Sequence, residues 1–82
     1  MSSDNNIRQA YALQAAILCN TLSKMERDVL VLIAKGYVSR GVGALLGKNY
    51  KTVERYRSDI MTKLDVGSTI EAAVIAAKAG LV

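Results

Sequence analysis

The residues of this 82-residue chain best suited to chemistry are basic, and most of them lie between positions 48 and 63. This segment contains five basic and two acidic residues, which give it a charge of +3 out of a net +4 for the chain. The basic residues are Lys48, Lys51, Arg55, Arg57 and Lys63, and the acidic residues are Glu54 and Asp59. Concentrated positive charge suits a polyanion, because phosphate contacts release bound counterions. A solvated helix face can have the same composition, so placement must decide between the two.

The chain has few residues of the types that support catalysis or bind metals. The sequence contains no histidine and one cysteine, and it shows no clustered carboxylates or phosphate-cradling glycine loop. We therefore expect no enzyme activity, no metal site and no cofactor. Cys19 is expected to be a reduced, buried thiol. The uncharged runs are too short to cross a membrane and the N-terminus does not resemble a secretory signal, which predicts a cytoplasmic protein.

The elements that position the basic segment are predicted to be helices. Apolar residues make up 51% of the chain, proline is absent, and periodic apolar runs are separated by glycines, which is typical of an all-α domain. The first helix is predicted at about residues 5–20, after a short frayed tail. Its apolar stripe either covers the core, which we favour, or pairs with a partner's helix: Ile7, Ala10, Tyr11, Gln14, Ile17 and Leu18.

Two further helices precede the basic segment. A capping box, Ser23 to Glu26, begins the second helix, and Gly36 ends it. The third helix is predicted over Ser39–Leu46, ending at Gly47, with Ser39 as its cap. Its two internal glycines disfavour a helix, so we expect packing to hold it, through Val42, Leu45 and Leu46, with Gly43 allowing close backbone approach.

The fourth helix carries the basic cluster. Asn49 is a favoured N-cap and predicts a helix over Tyr50–Leu64. At 100° per residue its two faces separate cleanly. The inner face is apolar, and consists of Val53, Tyr56, Ile60 and Leu64. The outer face is polar and partly basic, and consists of Lys51, Arg55, Ser58 and Thr62. A short helix, a glycine-containing turn and a helix with such an outer face follow the helix-turn-helix plan.

The last helix begins at a second capping box, Ser68 to Glu71, and ends at Gly80. Because it is apolar on more than one side, one face can pack on the domain while another meets a partner. Its main stripe is therefore our candidate dimer surface: Ile70, Ala73, Val74, Ala77 and Leu81.

Several motifs in the same order and spacing resemble the DNA-binding domain of the LuxR/FixJ/GerE family of bacterial transcription regulators. Residues 22–30, LSKMERDVL, look like the family's L-T-x-R-E-x-x-V-L. Residues 51–57, KTVERYR, look like K-T-V-x-x-H-R, and residues 60–64, IMTKL, match I-x-x-K-L. Glu71-Ala72 and Gly80-Leu81 match the C-terminal part of the family's pattern. The resemblance covers residues 22–82, about three quarters of the chain.

The resemblance implies a four-helix helix-turn-helix domain over residues 22–82, with residues 1–21 forming a tail and an additional N-terminal amphipathic helix. It implies a homodimer on a palindromic site in double-stranded DNA, with base-reading positions at Glu54, Arg55 and Ser58. Phosphate contacts fall on Lys51 and Thr52, and we add the neighbouring Lys48 and Arg57. Val53 is assigned to the core in preference to a thymine methyl contact.

The sequence predicts a sequence-specific transcription regulator. The alternative is a protein-interaction module that pairs with a larger related regulator and antagonises it without binding DNA. Because neither a receiver nor a ligand-binding domain fits into residues 1–21, the chain is similar to the single-domain, GerE-like members. No phosphoacceptor and no small-molecule ligand is expected.

Overall fold

The computed structural model describes the backbone of residues 2–82 and the side chains from residue 7 onward. It contains five helices in the order α1 (Ser2–Asn20), α2 (Lys24–Ala34), α3 (Ser39–Leu46), α4 (Tyr50–Leu64) and α5 (Thr69–Lys78). No strand occurs in this part of the chain. The all-α prediction is therefore confirmed, and the predicted bounds of α3 and α4 agree with those observed.

The helix ends follow the predicted caps, with two exceptions. Ser23 and Glu26 form the complete capping box of α2, and Asn49 accepts from the backbone N–H of Thr52 at 2.8 Å. The Ser68 hydroxyl accepts from the backbone N–H of Glu71. The Glu71 carboxylate accepts from the backbone N–H of Gly67 and not from that of Ser68, so the second capping box is incomplete. The prediction that Ser39 caps α3 is wrong, because the N-cap residue is Val38 and no side chain caps this helix.

One apolar core joins all five helices. Its central side chains, Val29, Leu30, Val42, Val53 and Ile60, are almost completely buried. Leu64, Ala72 and Ala76 close the core from α4 and α5, and Cys19 is buried beside them as predicted. Burial raises the pKa of the Cys19 thiol, and nearby Arg27 lowers it less, so the thiol stays protonated.

A buried carboxylate connects α2 to α4. The Glu26 side chain is 6% exposed and accepts from the ammonium of Lys63 at 2.8 Å, in addition to its capping bond from Ser23. Burial acts to raise the pKa of Glu26, but the bonds from Lys63 and Ser23 outweigh it and hold the pKa below its ordinary value. The carboxylate is therefore charged and links the end of α4 to the start of α2.

The predicted core face of α1 is wrong. The helix begins at Ser2, and the residues of α1 buried in the core are Ala15 and Cys19. Of the predicted stripe, only Leu18 is partly buried against the core, whereas Ile7, Tyr11 and Ile17 are more than half exposed and Ala10 and Gln14 are also exposed. The error has a physical cause: α1 packs mainly against α5, and close packing of two helices favours small side chains such as Ala15 and Cys19 at the contact.

The packed face of α3 also differs from the prediction. Val42 is buried and Leu46 partly so, but Leu45 is 57% exposed and does not hold the helix. Gly43 is buried where the turn after α3 approaches it. The backbone N–H of Lys48 donates to the carbonyl of Gly43 at 2.9 Å, and Gly47 takes a left-handed φ of 67°. Gly43 and the turn thus set the distance between α3 and α4, as the sequence predicts.

Candidate nucleic-acid interface

The outer face of α4, called here the front of α4, consists of Lys51, Arg55, Ser58 and Thr62. All four residues are exposed, and the opposite face is anchored by the buried Val53, Ile60 and Leu64 with Tyr56 partly buried. The two-faced prediction for this helix is therefore confirmed, including the assignment of Val53 to the core. In the described part of the chain, no hydrogen bond or ion pair engages the side chains of Lys51, Arg55 or Ser58, which leaves these groups available to a partner.

Basic and polar residues also surround the start of α4. Lys48 is exposed in the turn, Lys51 lies in the first helical turn, and Thr52 beside it is half-buried. The N-terminus of a helix presents backbone N–H groups and the positive end of its dipole, which favour a phosphate. At this end of α4 a charged anion would meet two lysines and the helix dipole together.

Glu54 and Arg57 occupy a different position from the front of α4. The Glu54 carboxylate accepts a short hydrogen bond from the Ser39 hydroxyl, and Arg57 Nε lies 3.5 Å from the same oxygen. Arg57 also donates through Nη2 to the hydroxyl of Thr69 at 2.8 Å, and its side chain is only 22% exposed. Both predicted contact residues thus have partners inside the domain, and Arg57 faces α5.

Sequence reasoning missed the basic and aromatic group at the start of α3. The guanidinium of Arg40 lies 4.8 Å from the centre of the Tyr50 ring, a distance typical of a cation–π contact. Together with Tyr37 they line one wall of an open cavity of about 460 Å³, which Ser39, Glu54, Arg57 and Thr69 complete. No signal in the sequence places Arg40 on Tyr50, because the pair forms only once α3 and α4 cross.

The predicted dimer stripe lies partly in solvent. Ile70 is 77% exposed and Val74 46% exposed, and Ala77 is also exposed, whereas the neighbouring Ala72 and Ala76 are buried. Leu81 packs against the core from beyond the end of α5, and Ala73 is half-buried. The outer stripe of α5 is therefore Ile70, Val74 and Ala77, bordered by Ala73.

The amino-acid sequence of these helices matches a known protein family. A profile of the bacterial regulatory proteins of the luxR family matches residues 20–76. The chain belongs to the luxR family of bacterial regulatory proteins. The matched residues include all of α2, α3 and α4 and most of α5. Membership in a family of regulators agrees with the expectation that the chain is not an enzyme.

Two relatives share part of this sequence. The chain is 48% identical over 50 residues to the oxygen regulatory protein NreC of Staphylococcus haemolyticus, an alignment that covers 61% of this chain and 23% of that protein. It is 40% identical over 62 residues to the response regulatory protein YgeK of Escherichia coli, covering 76% of this chain and 42% of that protein. The chain thus matches less than half the length of either relative.

The described residues have neither an apolar helix of membrane length nor a cluster of metal-binding side chains. Across the described residues, no helix is long and apolar enough to span a membrane. In the same part of the chain no three histidine, cysteine, aspartate or glutamate side chains lie close enough together to hold a metal ion.

Proposed function

We propose that this luxR-family domain is a sequence-specific DNA-binding regulator of transcription that inserts α4 into the major groove. The observation that supports this most directly is the front of α4. There the side chains of Lys51, Arg55 and Ser58 are exposed and make no hydrogen bond or ion pair in the described structure, and Val53 and Ile60 are buried behind them. An apolar back fixes the helix to the domain, and an outward polar face can reach base edges.

The residues of this face divide into two roles. Arg55 and Ser58 read bases: a guanidinium matches the two acceptors of guanine, and a serine hydroxyl can donate or accept. Lys48, Lys51 and Thr52, near the N-terminus of α4, hold phosphates and fix the position of the helix along the groove. These contacts form the interface without any cofactor.

The domain is further proposed to bind a palindromic site as a homodimer through the outer stripe of α5. Ile70 and Val74 expose apolar side chains on a helix whose opposite face is already packed. A two-fold interface brings the same stripe of each copy together, and each copy then presents its α4 to one half-site.

NMR chemical-shift mapping tests the DNA-binding face. A 15N-labelled sample is titrated with a random-sequence duplex of about 20 base pairs at low salt, conditions under which phosphate contacts alone support binding. We expect the largest shifts at the start and front of α4. Shifts confined to α1 and the outer stripe of α5, or no shifts at all, would contradict the proposal, and the latter would favour the protein-interaction module.

A further inference from the structure

A chain of polar contacts crosses three helices beside the front of α4. It runs from the hydroxyl of Ser39 at the start of α3 to the carboxylate of Glu54, from there to the guanidinium of Arg57, and on to the hydroxyl of Thr69 at the start of α5. Ser39 is 7% exposed, and the Arg57 side chain is 22% exposed. These contacts are called here the three-helix chain; its two members on α4 differ in exposure, because the Glu54 side chain is 45% exposed.

The position of Glu54 on the helix argues against a role in base reading. Measured around the axis of α4 from the buried Val53, Lys51, Arg55 and Ser58 lie at about 140° to 200°, whereas Glu54 lies at about 100° and Arg57 at about 40°. The same carboxylate oxygen of Glu54 that accepts from Ser39 also faces Arg57. That oxygen is therefore already occupied on the side of α4 that faces α3 and α5.

Apolar packing fixes α4 in the core, and polar contacts add a directional restraint beside it. Small buried side chains such as Ala72 and Ala76 lie on α5 in the shared core, and the hydrophobic effect itself is not directional. Hydrogen bonds to charged groups do have strict geometry. A 15-residue helix is about 22 Å long, so a tilt of about 5° moves its far end by about 2 Å. Such a displacement is enough to break a base contact.

We propose that Glu54 and Arg57 are positioning residues, which set the angle of α4 against α3 and α5 and thereby the base preference of Arg55 and Ser58. This inference rests on the proposed function. It gives Glu54 and Arg57 contacts between helices of the domain, in place of the base and phosphate contacts that the sequence predicts for them. Ser39 and Thr69 then matter to specificity without touching DNA.

Selection of bound duplexes from a random DNA pool tests the proposal with four variants. Ser39→Ala, Glu54→Ala and Thr69→Val each interrupt the three-helix chain, and Thr21→Val is the matched control. Thr21 donates its hydroxyl to the carbonyl of Leu18 at the end of α1, far along the chain from α4. We expect the first three variants to change preference at the same base pairs by roughly threefold to tenfold, part of one base contact, and T21V to select the wild-type site.

A base contact by Glu54 predicts a different pattern of variants. If Glu54 reads a base, E54A relaxes preference at one base pair, while S39A and T69V select the wild-type sequence; that pattern overturns the proposal. A double-mutant cycle on S39A and E54A, measured by urea unfolding without DNA, separates this failure from that of the proposed function. We expect coupling of at least about twofold in the unfolding equilibrium constant. Additive effects overturn the three-helix chain alone, whereas a wild-type domain that enriches no sequence overturns both proposals.

Discussion

The backbone carbonyl oxygen of Lys48 lies 2.5 Å from the point where a Cβ on Gly43 would stand. No side chain fits in that space, so α3 and the turn before α4 approach each other at backbone distance. The contact lies directly between the two helices of the helix-turn-helix, and Val53 packs 3.6 Å from the same point. The residue type at position 43 therefore determines how closely the two helices pair.

Gly43→Ala should destabilise the domain by about 1–3 kcal/mol, because the added methyl group forces the turn outward. The matched control is Gly41→Ala, two residues earlier in the same helix, where a Cβ meets only Tyr37 Cδ1 at 3.5 Å. That change should be neutral or stabilising by up to about 1 kcal/mol, because alanine favours helix. Urea unfolding measures both, and equal effects at the two positions would contradict the account.

Glu26→Gln should cost about 1–2 kcal/mol at neutral pH, since it removes the negative charge of the group that accepts hydrogen bonds from Lys63 and the Ser23 backbone. The pKa of Glu26 is lower in the folded protein than its ordinary value of 4.5. Its contribution is therefore complete above that value and is lost as the pH falls through the folded pKa.

The exposed pair of Lys24 and Asp28, at 3.1 Å, provides the control for Glu26. Asp28→Asn should change stability by at most about 1 kcal/mol, as is usual for a surface ion pair. Unfolding curves recorded from neutral to acid pH compare the three proteins. The wild type should lose more stability on acidification than E26Q; parallel curves would show that the pKa of Glu26 is not lowered in the folded protein.

Arg55→Ala should weaken binding to the preferred DNA site by about 1–3 kcal/mol and reduce the preference at one base pair. Arg8→Ala on the exposed part of α1 removes the same charge away from α4 and should change affinity only slightly. Lys51→Ala should weaken binding to all sequences similarly and reduce the salt dependence by about one counterion. Fluorescence anisotropy at several salt concentrations distinguishes these effects. Equal losses for R55A and R8A would indicate a purely electrostatic interaction.

Ile70→Glu should prevent dimer formation on DNA, because it places a charge at the most exposed apolar side chain of the outer stripe of α5. Ile17→Glu is the control: Ile17 is 66% exposed on α1, similar to the 77% of Ile70 on α5. Light scattering of the DNA complex counts the protomers. We expect two for the wild type and I17E and one for I70E. The reverse pattern would move the dimer surface to α1 and support the interpretation that this helix pairs with a partner's helix.

The sequence predicts the elements better than their contacts. The caps at Ser23 and Asn49 and the left-handed Gly47 are local signals, so the starts of α2 and α4 and the end of α3 could be read directly. The buried face of α1 could not, because large apolar residues occur around much of the helix and small ones, Ala15 and Cys19, fit against α5. Local periodicity does not encode that close fit.

In the candidate site, too, local signals are predictable and contacts between helices are not. The front of α4 follows from 100° periodicity, which placed Arg55 and Ser58 outward. The bonds of Glu54 to Ser39 and of Arg57 to Thr69 span 15 and 12 residues and depend on how three helices cross. The resemblance to a family pattern assigns Glu54 to DNA, and the charge of Arg57 adds it to the phosphate contacts, because neither signal includes these contacts between helices.

The most direct test of the central claim, that this domain reads DNA sequence with the front of α4, is selection of bound duplexes from a random pool at modest salt. We predict enrichment of one short, palindromic sequence by the wild type, and loss of preference at specific base pairs for R55A. Failure of the wild-type protein to enrich any sequence, with a larger regulator co-purifying instead, would contradict the claim.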